Sequence, residues 1–322
     1  MNVLFCSAGR RAELLKNFRK SLSQGSKIVA TDMSKYAPAI YFADVFYLVP
    51  SIFDESYLPM ILDICKKEKI QVITTLIDPE IEILSQNREK FRGIGVEVLA
   101  PYYETAELCF DKYKLFQHLK KAEIPTPETF GCFEDTKLAL DSGKLSLPVF
   151  VKPRTGSGSV GARRVDTIET LKDAFDKDPG LIAQEYMQCE DMDADVYVDT
   201  ITHQPVSIFS KRKLETKIGG ASKTVSFKDE KLFSFLKEAL AHFEFNGPID
   251  VDLFYRDGLY YLSEINPRFG GAYLHAYGAG VDFVKMIEKN VNGQPNAPVF
   301  GDYEEHVVMM MYDSVVIEKI GS

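Results

Sequence analysis

A predicted β-hairpin carries two carboxylates, an amide and a guanidinium, at spacings that could place all four groups on one face. The segment 250–268 contains two alternating runs of aromatic and branched residues, separated by Arg256-Asp257-Gly258, which is a turn signal. With a three-residue loop at 257–259, Asp252 lies directly across from Glu264. A two-residue loop would move Asp252 to the other face.

On the three-residue register, Asn266 and Arg268 follow Glu264 on the same face of the hairpin. The opposite face is expected to pack into the core, and it carries Val251, Leu253, Tyr255, Tyr261 and Ile265. Facing carboxylates repel each other unless a cation lies between them. Two carboxylates and an amide oxygen suit Mg²⁺ bound together with phosphate, with Mn²⁺ as a substitute. The pattern therefore predicts a metal site on Asp252, Glu264 and Asn266; the alternative is a surface hairpin whose acids face water.

A lysine on a predicted strand precedes a glycine-rich loop in the middle of the chain. Residues 147–165 are typical of strand, loop and strand, with Lys152 on the first strand and Gly156-Ser157-Gly158-Ser159-Val160-Gly161 in the loop. Glycines allow backbone N–H groups to approach phosphate oxygens closely, and the serines add hydroxyl donors. Lys152 supplies a positive charge toward the same phosphates. The stretch predicts a flap over phosphates; the alternative is a hairpin turn with a solvated lysine.

The first hundred residues alternate predicted strands and helices, which is typical of a doubly wound parallel sheet. Loops at the carboxyl ends of such strands often bind a ligand, so the polar residues there are candidate substrate contacts: Ser7, Gly9, Arg10, Asp32, Asp78 and Glu80. A nicotinamide site is an alternative, since a glycine turn follows the first strand and Asp32 ends the second. That turn lacks the G-x-G-x-x-G spacing, however, because Gly9 stands alone beside Arg10-Arg11. Asp78 could also cap a helix with Pro79 at its first position.

Composition and charge describe an ordinary globular chain and exclude several classes of partner. The 322 residues are 45% hydrophobic and 26% charged, with a net charge of −9 and a pI of about 5.2. A nucleic-acid or anionic-membrane surface is therefore not expected, and no apolar run is long enough to span a bilayer. The five dispersed cysteines, without a C-x-x-C pair, indicate reduced thiols in a cytoplasmic protein. The N-terminal segment does not resemble a signal peptide.

Further candidates lie along the remainder of the chain. Asp111 is expected to cap a helix over 111–124, which puts Lys112 in the first turn of that helix. The helix dipole disfavours a cation at this position unless an anion lies nearby. A strand at 181–186 leads into an acidic cluster that includes Asp193. Two paired strands follow; the second ends in Lys211-Arg212-Lys213, and a loop with Gly219-Gly220 is expected to lie over a site. The candidate substrate contacts in this part are Lys211, Arg212 and His275, and the alternative for His275 is a packed or surface histidine.

Taken in this order, these segments resemble the ATP-grasp superfamily, and the resemblance extends over nearly the whole chain. It is carried by Asp111-Lys112, Lys152 with the 156–161 flap, Gln184-Glu185-Tyr186-Met187, and Ser263-Glu264-Ile265-Asn266-Pro267-Arg268. The last run, together with the Ala30-Thr31-Asp32-Met33-Ser34-Lys35-Tyr36-Ala37-Pro38 segment, is similar to single-module relatives of the carbamoyl-phosphate synthase large subunit. This chain is about as long as one module of that enzyme.

The resemblance implies an α/β fold, with an α+β C-terminal part, and a role for each matched residue. A Rossmann-like pre-ATP-grasp domain would occupy residues 1–103 and the ATP-grasp domain residues 104–322, with antiparallel sheets in a small flap lobe (about 125–187) and a catalytic lobe (about 188–322). The residues expected at the ATP phosphates are Lys112, Lys152, Gly156, Ser157, Gly158, Ser159 and Gly161. Those expected at adenine are Gln184, Glu185, Tyr186 and Met187, and Asp193 would bind the ribose, where Glu is usual in the family. Mg²⁺ would bind Asp252, Glu264 and Asn266.

The implied function is an ATP- and Mg²⁺-dependent ligase that joins a small-molecule carboxylate to an amine or ammonia through an acyl phosphate. Lys152 and Arg268 would be its catalytic residues, Arg268 steadying the transferred phosphoryl group. No nucleic-acid or membrane partner is expected, and a homodimer is the assembly considered. Three alternatives remain open: a module acting on bicarbonate and ammonia, an NAD-dependent oxidoreductase using the N-terminal sheet, and a nucleotide-binding regulator without turnover.

Overall fold

The computed structural model describes residues 1–156, 161–217 and 220–319. The N-terminal strands are β1 (Asn2–Cys6), β2 (Lys27–Asp32), β3 (Val45–Leu48), β4 (Val72–Thr75) and β5 (Glu97–Val98). They form one sheet in the order β3-β2-β1-β4-β5, and all neighbouring strands run parallel. The helices are α1 (Ala12–Ser21), α2 (Tyr57–Glu68), α3 (Asp78–Gln86) and α4 (Arg88–Arg92), with a 3-10 turn at Pro38–Phe42.

Helices cover both faces of this sheet. Val3 and Phe5 of β1 enter a core with α1, whereas Leu4 and Cys6 enter a second core with α2. Because successive side chains of a strand point to opposite faces, a strand buried on both sides must be apolar throughout. The predicted doubly wound parallel sheet is therefore confirmed.

A small antiparallel sheet forms a lobe of its own. Two helices lead to it, α5 (Tyr103–Phe110) and α6 (Lys112–Lys121). Asp111 caps α6 as predicted, since its carboxylate accepts from the backbone N–H groups of Tyr113 and Lys114. The lobe contains β6 (Thr129–Phe130), α7 (Phe133–Asp141), β7 (Val149–Pro153), β8 (Arg163–Val165), α8 (Ile168–Lys177) and β9 (Leu181–Glu185). The strand order is β6-β9-β7-β8, around a separate apolar core.

The remaining strands form a six-stranded antiparallel sheet. They are β10 (Glu190–Val198), β11 (Pro205–Lys217), β12 (Gly220–Phe227), β13 (Gly247–Arg256), β14 (Leu259–Asn266) and β15 (Val308–Met310), in the order β14-β13-β10-β11-β12-β15. The accompanying helices are α9 (Glu230–Leu240), α10 (Leu274–Gly278) and α11 (Phe283–Val291). None of the helices in these described segments is long and apolar enough to cross a membrane.

The predicted loop over 216–224 is wrong for the residues that the structure describes. β11 continues to Lys217 and β12 begins at Gly220, so this segment is largely strand. The two strands pair through Lys213 and Thr224. Gly219 of the predicted loop lies outside the described residues. Residues 212–216 of β11 alternate between exposed and partly buried positions, a strand pattern that the glycine pair obscures in the sequence.

One core joins the parallel sheet to the six-stranded sheet. Phe18 of α1 contacts Phe269, just after β14, with ring centroids 5.5 Å apart. Phe5 of β1 lies behind Phe18, at 4.7 Å. This packing sets the carboxyl edge of the parallel sheet against the end of the β13–β14 hairpin, where the predicted metal ligands lie.

Candidate active site

Asp252 and Glu264 pair as predicted, but the turn of the hairpin differs from the predicted one. Its turn has two residues, not three: Arg256 pairs with Leu259, and both Asp257 and Gly258 have positive φ, as a tight hairpin turn requires. By itself this turn would put Asp252 and Glu264 on different faces. Ser263 restores the register, because Leu253 pairs with Leu262 whereas Asp252 pairs with Glu264. The extra residue is a β-bulge.

The bulge also changes which residues face the core. Val251, Leu253 and Ile265 are buried, as predicted. Tyr260 and Leu262 complete that face, whereas Tyr261 is only partly buried. The core-face assignment of Tyr261 was therefore wrong, because residues between the turn and the bulge are shifted by one.

Acidic side chains continue across three neighbouring strands on the cleft face of the sheet. Asp252 pairs directly with Asp193 of β10 as well as with Glu264 of β14. Asp250 pairs in the same way with Asp195 and with Asn266. Directly paired residues in antiparallel strands share a face. The fold thus concentrates negative charge here, and cations must offset it.

Lys213 of β11 is the cation that offsets two of these carboxylates and a third, Asp191, at the start of β10. Its ammonium lies 2.9 Å from Asp191, 2.7 Å from Asp193 and 2.5 Å from Asp252. Burial disfavours the charged lysine, but the three carboxylates outweigh burial and raise the pKa of Lys213 well above its usual value. Lys211 and Arg212 were among the predicted site residues, whereas Lys213 was not. The alternation of a strand offered a signal, since it puts Lys211 and Lys213 on one face.

The carboxylates around Lys213 differ in acidity. Burial disfavours ionisation of Asp252, yet Lys213 and a hydrogen bond with Asp193 outweigh burial and lower the pKa of Asp252 to about 2. Burial raises the pKa of Asp193, aided by the negative charge of Asp252. Asp252 is therefore the member of the pair that stays ionised, as a metal ligand must be.

The predicted metal ligands come together at the end of the hairpin. Asp252 faces Glu264, and the amide of Asn266 donates to the second oxygen of Asp252 at 3.2 Å. Among the residues described, no group of three or more His, Cys, Asp or Glu side chains is arranged to hold a metal ion. Two carboxylates and an amide oxygen fit Mg²⁺ only if phosphate or water oxygens complete the shell, which is how Mg²⁺ commonly binds.

Two lysines from different elements converge on Glu264. Lys112 at the start of α6 lies 3.7 Å from the Glu264 carboxylate, and Lys152 of β7 lies 3.9 Å from it. Burial lowers the pKa of Lys152, and Lys112 lowers it further, while Glu264 opposes both. Lys112 also donates to the carbonyl of Gly156 at 2.6 Å. Positive charge thus lies beside the predicted metal ligands, where phosphate oxygens would accept hydrogen bonds.

The predicted flap is described only at its two ends. Gly156 and Gly161 both have positive φ, a conformation that glycine adopts without strain. Ser157, Gly158 and Ser159 lie outside the described residues. A narrow cleft opens beside Gly156 and is lined by residues of both halves of the chain, including Asp78, Glu264 and Asn266.

The predicted adenine hinge connects the small lobe to the six-stranded sheet. Gln184 is buried and donates to the Thr129 hydroxyl at 2.9 Å, so its side-chain amide is already hydrogen-bonded within the small lobe. Glu185 forms an ion pair with Arg256 at 2.6 Å. Tyr186 lies under the guanidinium of Arg164, and Met187 is buried. Hinge contacts to a nucleotide would therefore come mainly from the backbone.

Arg268 bonds to the N-terminal domain. Its guanidinium lies 2.7 and 3.2 Å from the two oxygens of Asp78 and 3.5 Å from the Asn266 amide oxygen. Burial disfavours the charged guanidinium, but Asp78 outweighs burial and raises the pKa of Arg268. The predicted cap role of Asp78 is wrong, since α3 begins without a side-chain cap bond. Asp78 lines the cleft but is engaged as the partner of Arg268.

Two other N-terminal candidates stabilise the fold. Asp32 accepts from the backbone N–H groups of Gly9 and Ser34, both at 2.9 Å, and so shapes two turns. This engagement also weakens the nicotinamide alternative, which needs Asp32 for a ribose. Glu80 is fully buried, hydrogen-bonds with Tyr57 and Thr75, and has a pKa raised to about 8, chiefly by burial. Arg10 is exposed on the first turn.

The three C-terminal substrate candidates are placed away from any open surface of the cleft. Lys211 is fully buried between Asp195 and Asp250. Arg212 points to the opposite face, where it pairs with Glu190 at 2.8 Å. His275 is 2% exposed; it bonds the Thr224 hydroxyl at 2.7 Å and the Val307 carbonyl at 2.9 Å. Burial lowers the pKa of His275 to about 4. His275 is a packed, hydrogen-bonded histidine, so these three substrate assignments are corrected.

Arg11 is a residue of this region for which no role was predicted. Its guanidinium donates to the carbonyls of Phe269 and Gly270, at 3.4 and 2.5 Å. Burial and the nearby charge of Arg268 lower the pKa of Arg11 to about 10. Arg11 thus fixes the segment after β14 to the N-terminal domain, and a partner more than 250 residues away leaves no local sequence signal.

Comparison with known proteins identifies the family of this chain. Residues 3–99 match the family model described as "PylC-like, N-terminal domain", and residues 109–272 match the model of the ATP-grasp domain. The second match covers half of the chain and includes Lys112, Lys152 and the β13–β14 hairpin. The chain therefore belongs to the ATP-grasp family, which confirms the resemblance. The finer likeness to carbamoyl-phosphate synthase stays a prediction.

Curated relatives match over shorter segments. The chain is 31% identical over 144 residues to pyruvate carboxylase of Staphylococcus aureus strain Mu50, covering 42% of this chain and 12% of that protein. It is 26% identical over 120 residues to D-alanine–D-alanine ligase of Fervidobacterium nodosum, covering 32% of this chain and 38% of that protein. The chain thus spans less than half the length of these curated relatives.

Solved structures match over nearly the whole chain. N5-carboxyaminoimidazole synthetase from Staphylococcus aureus has a TM-score of 0.76 at 19% identity, covering 96% of this chain and 81% of that one. The biotin carboxylase domain of the Hydrogenobacter thermophilus 2-oxoglutarate carboxylase, solved as a dimer with MgADP and bicarbonate, has a TM-score of 0.74 at 17% identity, covering 95% and 73%. At these identities the likeness establishes the fold.

Proposed function

We propose that this chain is an ADP-forming ligase that uses Mg·ATP to join a small-molecule carboxylate to an amine or ammonia. The observation that carries the proposal is the meeting of three elements at one cleft. The ammonium groups of Lys112 on α6 and Lys152 on β7 each lie within 4 Å of the Glu264 carboxylate on the hairpin. Such a set of fixed charges suits phosphoryl transfer, which needs positioning and electrostatic stabilisation more than a covalent nucleophile.

The acidic and amide side chains would bind the metal, and the cationic side chains would bind the phosphates and the acceptor carboxylate. Asp252, Glu264 and Asn266 would hold Mg²⁺, which when bound neutralises charge on the ATP phosphates. Lys112 and Lys152, which lie beside Glu264, would orient the phosphates. Arg268 lies between Asp78 and Asn266, so its guanidinium would meet the carboxylate that accepts the γ-phosphoryl group. That placement stabilises negative charge as the phosphoryl group passes between oxygens.

The chemistry has two balanced steps. A carboxylate oxygen of the acid attacks the γ-phosphorus, the bond to the β-phosphate oxygen breaks, and ADP leaves. The amine nitrogen then attacks the acyl carbon, phosphate leaves with the bonding electron pair, and the nitrogen loses a proton. Water would destroy the acyl phosphate between these steps, so the cleft must close over it.

The test is a screen of acid–amine pairs for ADP release with Mg²⁺. An acid that supports the first step should yield a hydroxamate when hydroxylamine replaces the amine. The Glu264→Gln variant should lose most of this ADP release, because it lacks a proposed metal ligand. The Glu238→Gln variant is its matched control and should release ADP as wild type does, because Glu238 is exposed on α9. ADP release that does not depend on any carboxylic acid would contradict the proposal.

Bicarbonate is the second candidate for the acid. The similarity to pyruvate carboxylase and the fold shared with a biotin carboxylase domain that was solved with bicarbonate favour its inclusion. Bicarbonate-dependent ADP release that requires ammonia would identify a carbamoyl-phosphate-type module. Release that requires an organic acid and is indifferent to bicarbonate would exclude it.

A further inference from the structure

The guanidinium of Arg268 is held by one edge and keeps donors for a ligand. A guanidinium carries five N–H groups in a fixed plane. Nε and one terminal nitrogen bind the two oxygens of Asp78, at 2.7 and 3.2 Å, and the other terminal nitrogen donates to the Phe269 carbonyl at 3.2 Å. Within the described part of the chain, the remaining contact is a long one of 3.5 Å with the Asn266 amide oxygen. One N–H group of each terminal nitrogen is therefore unused or only weakly used.

The backbone around Arg268 is fixed independently of its side chain. Arg11 of the N-terminal domain donates to the carbonyls of Phe269 and Gly270. Gly270 packs so closely against two buried carboxylates that a Cβ there would lie 2.7 Å from their oxygens. An arginine side chain has several rotatable bonds, so a fixed backbone alone would leave the guanidinium free to move. The bidentate contact with Asp78 removes that freedom.

Asp78 is itself held in place, as a positioning group must be. It is the first residue of α3, where the helix dipole favours a carboxylate. The side chains of Arg268 and Asp78 are only 14% and 12% exposed, so solvent ions screen the pair little. Asp78 also lines the cleft together with Glu264 and Asn266. The ion pair therefore lies at the candidate active site, although Asp78 belongs to the N-terminal domain.

We propose that Asp78 is a positioning residue: it fixes the guanidinium of Arg268 by one edge and thereby directs the remaining N–H groups at the transferred phosphoryl group and at the phosphate that leaves. This inference rests on the proposed function for the role of Arg268. The N-terminal domain would thus complete the site through a carboxylate that touches no substrate. An arginine fixed in advance binds an anion more tightly, because less side-chain freedom is lost on binding.

The experiment is a titration of the full chain, saturated with Mg·ADP, with inorganic phosphate, the product that Arg268 would hold. Binding is measured by calorimetry and by the ¹H–¹⁵N signal of the Arg268 Nε–H group, identified by its absence from Arg268→Lys. Asp78→Asn keeps the size of the side chain and removes its charge, so it should bind phosphate about tenfold more weakly. Its Nε–H signal should move toward the signals of exposed arginines. Phosphate affinity unchanged by Asp78→Asn, or no phosphate binding by wild type, would overturn the proposal.

The matched control is Glu288→Gln, at another carboxylate that joins the two domains. Glu288 lies on α11 rather than at the cleft, and it accepts from the backbone N–H and the hydroxyl of Ser23, at 3.0 and 2.8 Å. This variant should lose stability in urea, as Asp78→Asn does, and keep the phosphate affinity of wild type. Equal loss of phosphate affinity in both variants would refute positioning by Asp78, because a weakened domain contact would then be sufficient.

A second variant keeps the test decisive if Asp78→Asn does not fold. Asp78→Glu retains the charge but moves the carboxylate by one methylene group, so phosphate affinity should fall about threefold, less than with Asp78→Asn. Wild-type affinity in Asp78→Glu, with Asp78→Asn unfolded, would contradict the proposal. The titration does not depend on turnover, so a failed acid–amine screen with weakened phosphate binding would refute the proposed function alone.

An acid that supports ADP release adds a kinetic test. Asp78→Asn should lower kcat at least about tenfold and leave the KM for ATP within about twofold, because Arg268 acts mainly on the transferred group. A lower KM for the acid at unchanged kcat would instead show that Asp78 competes with the acid for Arg268, and positioning would be wrong.

Discussion

Replacing Gly270 by alanine should destabilise the protein strongly, although the substitution adds a single methyl group. A Cβ at this position would lie 2.7 Å from an oxygen of Asp195 and 2.7 Å from an oxygen of Asp250. Side-chain ends can normally move aside at little cost. Here both carboxylates are held by the buried Lys211, so relief of the clash must disturb a buried charge cluster. Overpacking alone costs about 1–3 kcal/mol, and partial loss of the ion pairs brings the expected total to roughly 2–4 kcal/mol.

The assay is urea unfolding followed by circular dichroism, with the slope of the transition compared between variants. The control is Gly278→Ala, at an exposed glycine at the end of α10, where no described atom lies within 4 Å of the added Cβ. Alanine is a better helix former than glycine, so this variant should be unchanged or up to about 1 kcal/mol more stable. Equal stability of Gly270→Ala and wild type, within about 0.5 kcal/mol, would refute the reasoning that the two carboxylates are fixed in place.

Three further outcomes are expected. Glu264→Gln should reduce Mg·ATP turnover at least about a hundredfold while leaving the unfolding curve unchanged; near-normal turnover would make the metal assignment wrong. Lys152→Ala should raise the KM for ATP by about tenfold or more, through loss of a charged phosphate contact, and unchanged nucleotide kinetics would count against Lys152 as a phosphate ligand. The pKa of Glu80 is raised to about 8, so the folded chain holds a proton that the unfolded chain releases near pH 4.5. Wild type should therefore lose stability relative to Glu80→Gln as pH rises from about 4.5 to 8, whereas parallel pH profiles would contradict it.

The sequence predicted the pairing of Asp252 with Glu264 through two compensating errors. A three-residue turn was assumed, whereas the hairpin has a two-residue turn and a bulge at Ser263. A third turn residue and a bulge residue have the same effect, since each adds one residue between the paired acids. The alternation of side chains depends only on whether the number of residues between the acids is odd or even. Tyr261 was misplaced for the same reason, because it lies between the turn and the bulge. The face of the acids was therefore predictable, and the way the chain achieves it was not.

Partners distant in sequence explain most of the remaining differences. Asp78 looked like a free carboxylate or a helix cap, but Arg268, 190 residues further on, pairs with it. Lys211 and Arg212 looked like substrate contacts, but one is buried by Asp195 and the other faces away from the cleft. Local pattern showed that these residues were polar and close to a site. Only the packed structure shows which polar groups already satisfy one another.

The bulge at Ser263 restricts how this hairpin can change in length during evolution or engineering. If the two-residue turn is kept, adding or deleting one residue between 253 and 262 would turn Glu264 and Asn266 toward the interior, whereas a change of two residues would leave both on the cleft side. Functional variants should therefore differ here in even steps. An odd step would be tolerated only where the residue equivalent to Ser263 has been lost as well.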